Sequence, residues 1–436
     1  MNDSILTEQG QQHLDHVQRW LQYAPDPPER GENIYDVFIS YRSTDRPWAM
    51  ALYDALKQAG WEPFLDQYEL VPGSNLEMSL TEALEASSSG VILWSSNTES
   101  SEWCKKERNA MDVLKQRSGS FNYVFAKLDT EPLPLFAQSD LFFEFEDSPE
   151  GPRGEKLLRL MCGMRGVSLS SEAVKLAQKV DQDEQLTLIA VNGAIEAENP
   201  AQLLDIGTSD DPGVLASPNP VLAAAQGLIS MGENDSAQSV LKHALAYFPK
   251  SLRAKQLKGL VLRRLERYQD AINVLSELKA AGHQDPETLG ILAAAWDGRY
   301  LESGKKLYLR KARELYRMAF QADPEDYYTG INAASKSLFL GEPAESERLA
   351  AAVYELVKGA ADGKDFYGGC TLAEVFLLQR KFDAAKALFE KVIDNHFARA
   401  GDLEGTRQQA TRICDAHGLS EEDTAEILAP FLLLRD

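Results

Sequence analysis

The sequence predicts a chain in two parts, an α/β domain on a parallel sheet followed by an all-α array of helical repeats. Two observations predict this. Between about residues 33 and 147, short apolar runs alternate with helical patterns; beyond about 216, small and apolar residues recur every 34 residues. At 436 residues the chain has room for both parts.

Composition narrows the function classes. With 44% hydrophobic and 26% charged residues, the chain reads as an ordinary globular protein. A formal charge of −22 argues against nucleic-acid partners and against an anionic membrane surface, both of which call for clustered Lys and Arg. Cys104, Cys162, Cys370 and Cys414 are scattered, which suggests free thiols in a reducing compartment. The first residues lack the apolar core of a signal peptide, and no run of about 20 apolar residues occurs. A cytoplasmic location is expected.

Residues 1–32 read as a short amphipathic helix and linker. Leu14, Val17, Trp20 and Leu21 share a helical face, and Pro25-Asp26-Pro27-Pro28 ends it. A helix packing on the next domain and an oligomerisation arm both fit. Residues 33–147 follow as the α/β domain. Val37-Phe38-Ile39 is a buried strand, and Trp48 to Leu56 a helix closed by Gly60. Further strands are expected at Glu62–Leu65, Val91–Trp94, Tyr123–Ala126 and Leu141–Phe145, with helices around Leu76–Ala86 and Glu107. Five apolar strands with helices between them imply a parallel sheet covered on both faces. In such sheets ligands bind outside the carboxyl ends of the strands.

Ser148-Pro149-Glu150-Gly151-Pro152 breaks the pattern, so residues 148–215 are assigned to a helical connector, with a helix pair or one long helix over 170–198. Residues 216–436 form the repeat domain. Ala225, Leu228, Ala237, Leu241 and Ala244 are followed 34 residues later by Gly259, Leu262, Ala271, Leu275 and Leu278. A third copy carries Ala293, Trp296, Ala312, Tyr316, Ala319 and Pro324, with about seven extra residues expected between its helices; weaker copies follow at 334–353 and 372–391. This is the tetratricopeptide pattern of paired helices stacked in an array. Residues Ala312 to Tyr316 and Tyr327 to Ala334 resemble the TRAF-binding regulatory region of animal stress-activated MAP kinase kinase kinases, over roughly 220–395. The resemblance implies a regulatory array without a kinase, since Asp365-Phe366-Tyr367-Gly368 is not the kinase D-F-G motif and no glycine-rich kinase loop exists.

Several reactive patterns drop out. Gly166-Val167-Ser168-Leu169-Ser170 lacks the closing glycine of a nucleophile elbow, and Gly151 to Lys156 has the wrong spacing for a phosphate loop. His13 and His16 have no third ligand nearby, so no metal site is expected. What remains is Tyr35 to Arg42, an apolar strand running into the polar loop Tyr41-Arg42-Ser43-Thr44-Asp45, and Trp103 with Glu107 at i,i+4 behind Ser101 as a helix cap. Arg42 can place a cation beside a pyrophosphate, and the hydroxyls and amides of the loop add donors at a helix start. In so acidic a chain any nucleotide site must supply its own positive potential. Taken singly, Arg42 could merely pair with Asp45, and Glu107 could be a solvated helix-face residue beside Lys105 or Arg108.

Together, the strand, the loop and Trp103-Cys104-Lys105-Lys106-Glu107 resemble a TIR domain, a flavodoxin-like fold with a five-stranded parallel sheet. Asp66-Gln67-Tyr68-Glu69-Leu70-Val71-Pro72-Gly73 matches that family's BB loop. The W-C-x-x-E context is similar to that of the NAD⁺-cleaving members and implies Glu107 as the catalytic carboxylate. Tyr41, Arg42, Ser43, Asp66, Val71, Gly73 and Trp103 are implied as the nucleotide-binding set. NAD⁺ is then substrate, with no resident cofactor. The resemblance also implies activation by TIR self-association, with an unidentified protein or small-molecule activator acting on the repeats, in bacterial antiphage defence. A non-enzymatic scaffold that assembles partners through its TIR and repeat surfaces is the alternative.

Overall fold

The structure is a computed structural model, and it describes residues 23–29, 31–65, 76–99, 102–133, 137, 141–146, 151–152, 154–211, 213–215, 217–249, 251–395 and 400–432. Two compact units emerge, residues 1–267 with 280–283, and residues 268–279 with 284–436.

The first unit begins with β1 (Val37–Ser40), α1 (Arg46–Gln58), β2 (Pro63–Leu65), α2 (Leu76–Glu85) and β3 (Ser89–Trp94). It continues through α3 (Ser96–Glu99), α4 (Glu102–Arg117), β4 (Asn122–Lys127) and β5 (Phe142–Glu144). The five strands form one sheet in the order β2-β1-β3-β4-β5, every pair parallel. All five expected strands are present. The residues of β1 and β3 are buried throughout, because helices cover both faces and no position alternates to solvent. On one face Phe38, Phe64, Ile92, Met111, Tyr123 and Phe125 form a continuous core. Gly90 is needed there, since a Cβ would sit 2.8 Å from Met111 Sδ. On the other face Trp48 of α1 meets Phe145 edge-on at 5.0 Å. That layer is extended by α5 (Gly154–Arg165), which buries Leu157, Leu158, Leu160 and Met161 and packs on β3, β4 and β5. Sequence reading had placed this helix in the connector, because the proline-rich break precedes it.

The same unit holds α6 (Ser171–Glu196), α7 (Pro200–Gly207), α8 (Pro218–Ser230), α9 (Asn234–Tyr247) and α10 (Leu252–Arg264). The stretch after Ser170 is one long helix, capped by Ser170 Oγ accepting from Ala173 N at 3.2 Å. Val191, Ala194 and Leu203 share one core with Val221, Leu228, Val240 and Leu257, so helical layering already starts at α6.

In the second unit lie α11 (Tyr268–Ala280), α12 (Pro286–Ser303), α13 (Lys306–Ala322), α14 (Tyr327–Phe339), α15 (Pro343–Val357), α16 (Phe366–Leu378), α17 (Phe382–Asn395), α18 (Ala400–Ala416) and α19 (Glu421–Ile427). Fully buried alanines at 293, 312, 319, 334, 350, 373 and 385 let neighbouring helices approach closely. The expected insertion between α12 and α13 is not a loop. Only Gly304 and Lys305 separate them, and the extra residues lengthen the helices to 18 and 17 residues, against 13 and 14 in α8 and α9. Added turns keep backbone groups bonded, and Trp296 seals the hairpin with Lys311 Nζ 3.9 Å above its ring.

A backbone signature runs through all the helix pairs. Glu198, Gly232, Glu266, Gly304, Gly341, Arg380 and Gly418 each have positive φ, and the first three are spaced 34 residues apart. At six of them the next residue's N–H bonds back to the carbonyl five residues earlier, as in Asn199 to Ala194 (2.9 Å), Arg267 to Leu262 (2.8 Å) and Lys381 to Phe376 (2.8 Å). These are Schellman closures, which end one helix and turn the chain into its partner.

Candidate active site

Strand order places the site. The chain leaves β1 toward α1 and leaves β3, its neighbour, toward α4, so a crevice opens between their carboxyl ends. Ser40 is the last residue of β1 and is 1% exposed; Glu107, on the second turn of α4, is 8% exposed. Ser40 Oγ donates to Glu107 Oε2 at 2.5 Å. This joins the end of one strand to the helix that follows its neighbour. This hydrogen bond restrains the orientation of the Glu107 side chain.

Two further contacts hold the crevice together. Asp45 stands at the N-cap of α1, but its carboxylate does not cap that helix. Instead Asp45 Oδ2 accepts from Ser95 Oγ at 2.6 Å, tying the loop after β1 to the loop after β3. The Ser95 loop is pinned in turn by Thr98, whose Oγ1 accepts from Ser95 N at 3.1 Å and donates to Leu93 O at 3.0 Å. Asp129, from the β4 loop, accepts from Ser96 N at 2.8 Å. Burial pushes the Asp129 carboxyl up, but the Ser96 and Glu131 amides outweigh it and hold the group below the usual carboxylate range.

Of the residues singled out in the sequence, Glu107 is held by Ser40, and Tyr41 and Arg42 follow Ser40 directly in the chain. Tyr41 is 7% exposed and Arg42 half-buried. Ser43 opens a short 3-10 turn leading to α1. Trp103 lies on α4 one turn before Glu107. The side chains of Ser43 and Trp103, and residues Asp66, Val71, Gly73 and Ser101, lie outside what the structure describes, as do His13, His16 and the expected N-terminal helix. Arg42 and Arg46 lie on the segment that follows β1, and Lys105, Lys106 and Arg108 on the segment that carries Glu107. Among the described residues no group of three or more His, Cys, Asp or Glu could hold a metal ion. Cys162, Cys370 and Cys414 are buried free thiols. No helix among the described residues is long and apolar enough to cross a membrane.

Sequence reasoning missed Ser40, Asp45 and Ser95 as members of the site. The available signal was Ser40 itself, a polar residue ending an otherwise apolar strand.

A TIR-domain family model matches residues 37–158. The chain carries a TIR domain. A second family model, Tetratricopeptide Repeats-Sensor, matches residues 233–340. The TIR stretch is 39% identical over 79 residues to "Probable 2' cyclic ADP-D-ribose synthase BdTIR" of Brachypodium distachyon, covering 18% of this chain and 35% of that protein. It is 31% identical over 87 residues to "NAD(+) hydrolase PdTIR" of Paracoccus denitrificans, covering 20% of this chain and 29% of that protein. The matches thus span about a third of each curated relative. Among solved structures, a thermophilic TPR protein of Thermus thermophilus aligns at 19% identity with a TM-score of 0.37, over 47% of this chain and all of that one. The TIR domain of a Toll-related receptor from Hydra magnipapillata aligns at 23% identity with a TM-score of 0.23, over 26% of this chain and 86% of that one.

Proposed function

We propose that the TIR domain is an NAD⁺ glycohydrolase with Glu107 as its catalytic carboxylate. The observation that carries this reading is the Ser40–Glu107 pair, a buried, oriented carboxylate at the sheet's topological switch point. The relatives named as an NAD(+) hydrolase and a cyclic ADP-D-ribose synthase support it.

The chemistry suits a single carboxylate. The bond between ribose C1 and the nicotinamide nitrogen breaks with both electrons going to the ring, so a cationic pyridinium leaves as neutral nicotinamide. No proton need be delivered to the leaving group. Positive charge develops on the ribose, and a carboxylate beside it offsets that charge and accepts hydrogen bonds from the sugar hydroxyls. Ser40 acts as a positioning residue, holding one carboxylate oxygen. Arg42 and the amides entering α1 face the pyrophosphate. Capture of the ribose by water gives ADP-ribose; capture by a group of the same nucleotide gives a cyclic product. NAD⁺ is substrate and no resident cofactor is involved.

TIR self-association switches the site on, and the helical repeats receive the signal, a protein or small molecule. The sensor description of the matching repeat family favours that role. We place the protein in the cytoplasm of a bacterial cell, where NAD⁺ loss on infection would halt the host's metabolism. The test is nicotinamide release from NAD⁺ by the full chain beside Glu107→Ala; equal rates would remove the reading.

A further inference from the structure

The TIR domain is held on its own helical repeats by a buried carboxylate. Asp54, on α1, is 4% exposed and reaches residues almost two hundred positions away. Its Oδ2 accepts from Ser251 Oγ and its Oδ1 from Leu252 N, both at 3.1 Å. Ser251 is the N-cap of α10, also accepting from Ala254 N at 3.2 Å, and Leu252 is that helix's first residue. The carboxylate therefore sits on amide donors that α10 cannot satisfy internally, at the positive end of its dipole. Around it, Tyr53 meets His283 edge-on at 6.4 Å, and α1 packs directly on α10. Beside Asp54 lies a cavity of about 190 Å³ lined by Pro47, Ala51, Asn219, Leu222, Gln226 and Arg253. The seam is thus incompletely packed, and Asp54 is a polar anchor within it.

The same helix borders the site. Asp45, the N-cap of α1, bonds Ser95, and the loop before it follows Ser40, which holds Glu107. A shift of α1 relative to β1 strains the Asp45–Ser95 contact and the loop between it and Ser40. In this conformation Glu107 is buried, at 8% exposure.

We propose that the contact of Asp54 with Ser251 and Leu252 is an autoinhibitory latch, which clamps α1 against the N-terminus of α10 and keeps the TIR site closed. Movement within the repeats that withdraws the start of α10 frees α1 and loosens the loop from Tyr41 to Asp45, while Ser40 stays on β1 and keeps Glu107 in place. The link to catalysis rests on the NAD⁺ reading above; the latch itself rests on the contacts alone.

The test uses the full chain and three variants. Asp54→Ala deletes both bonds. Ser251→Ala deletes one and is the milder change should the first fail to fold. Asp54→Asn retains the shape, can accept from Leu252 N and can donate to Ser251 Oγ, so it keeps the latch. Hydrogen exchange is read over 40–45, 46–58 and 251–264, and nicotinamide release in parallel. Loss of a hydrogen bond to a charged group shifts such an equilibrium about tenfold or more. Exchange in all three segments should accelerate by about that factor in the two Ala variants and stay near wild type in Asp54→Asn. Nicotinamide release should rise with it and vanish when Glu107→Ala is added. Unchanged exchange over 40–45 in both Ala variants overturns the latch, whatever the turnover. Accelerated exchange without turnover in any variant supports the latch and counts against the NAD⁺ reading. Accelerated exchange with lower turnover overturns inhibition, because the contact would then be supporting the active form.

Discussion

Replacing Ser40 by alanine removes one hydroxyl and leaves the Glu107 carboxylate with one fewer donor. Both residues are buried, at 1% and 8% exposure, so water replaces the lost bond poorly. A hydrogen bond to a charged group is worth about 1.5–3 kcal/mol. If it serves to aim the carboxylate at the developing ribose charge, the loss falls on the transition state, and kcat/KM should drop by about 10- to 150-fold, mainly through kcat. Ser40→Thr keeps the hydroxyl and should recover most of the rate. The assay is steady-state nicotinamide release at matched protein concentration, with thermal melts confirming that each variant is folded. A Ser40→Ala enzyme with wild-type kcat/KM would refute the positioning role, as would a fall that Ser40→Thr does not recover although that variant melts like the wild type.

Four further outcomes follow from the structure. Glu374, buried and raised by desolvation to about 7 with Lys336 partly offsetting it, contributes stability that is lost as pH rises through that value; Glu374→Gln should therefore gain about 2 kcal/mol more at pH 8.5 than at pH 5.5 in denaturant melts. Asp297 takes Arg412 in two bonds of 2.7 and 3.0 Å and faces Lys336 at 3.5 Å, and Asp297→Ala should cost about 3–5 kcal/mol by stranding the buried ammonium. Arg380 and Glu266 occupy left-handed turns at φ +59° and +58°, so a glycine at either should raise stability by about 0.5–1 kcal/mol, seen as a higher melting temperature. Asp54 is raised by burial to about 6 despite its bonds to Leu252 and Ser251; burying the charged form therefore costs the seam stability as pH rises from the ordinary aspartate range through 6, so protection over 46–58, corrected for the intrinsic pH dependence of exchange, should fall across that interval in wild type but not in Asp54→Asn.

Much of the fold was legible because its signals are local. Buried parallel strands read as near-continuous apolar runs, and Val37–Ile39, Val91–Trp94 and Tyr123–Ala126 stand out for that reason. The repeat was visible through small residues at fixed spacing, but its turn signature was not. Glu198, Glu266 and Arg380 are not glycines, so nothing in their chemistry announces a left-handed residue. The break at Ser148–Pro152 looked like a domain end because proline and glycine interrupt any pattern; that α5 returns to the sheet depends on tertiary packing. At the site, Glu107 and Arg42 were found through a motif. Ser40, Asp45 and Ser95 were not, since each acts through a partner 50 or more residues away that only folding supplies. Asp54 is the extreme case: an ordinary helix aspartate in the sequence, and in the fold the buried link between the TIR domain and α10.

The central claim is that Glu107 cleaves NAD⁺. The most direct measurement is nicotinamide release by wild type and Glu107→Gln, each at dilute and at crowded protein concentration. Glu107→Gln can still accept from Ser40 and should fold normally. The account predicts turnover that rises more than proportionally with wild-type concentration and is absent at both concentrations in Glu107→Gln. Equal release by the two proteins, or none from crowded wild type and from Asp54→Ala alike, would contradict it.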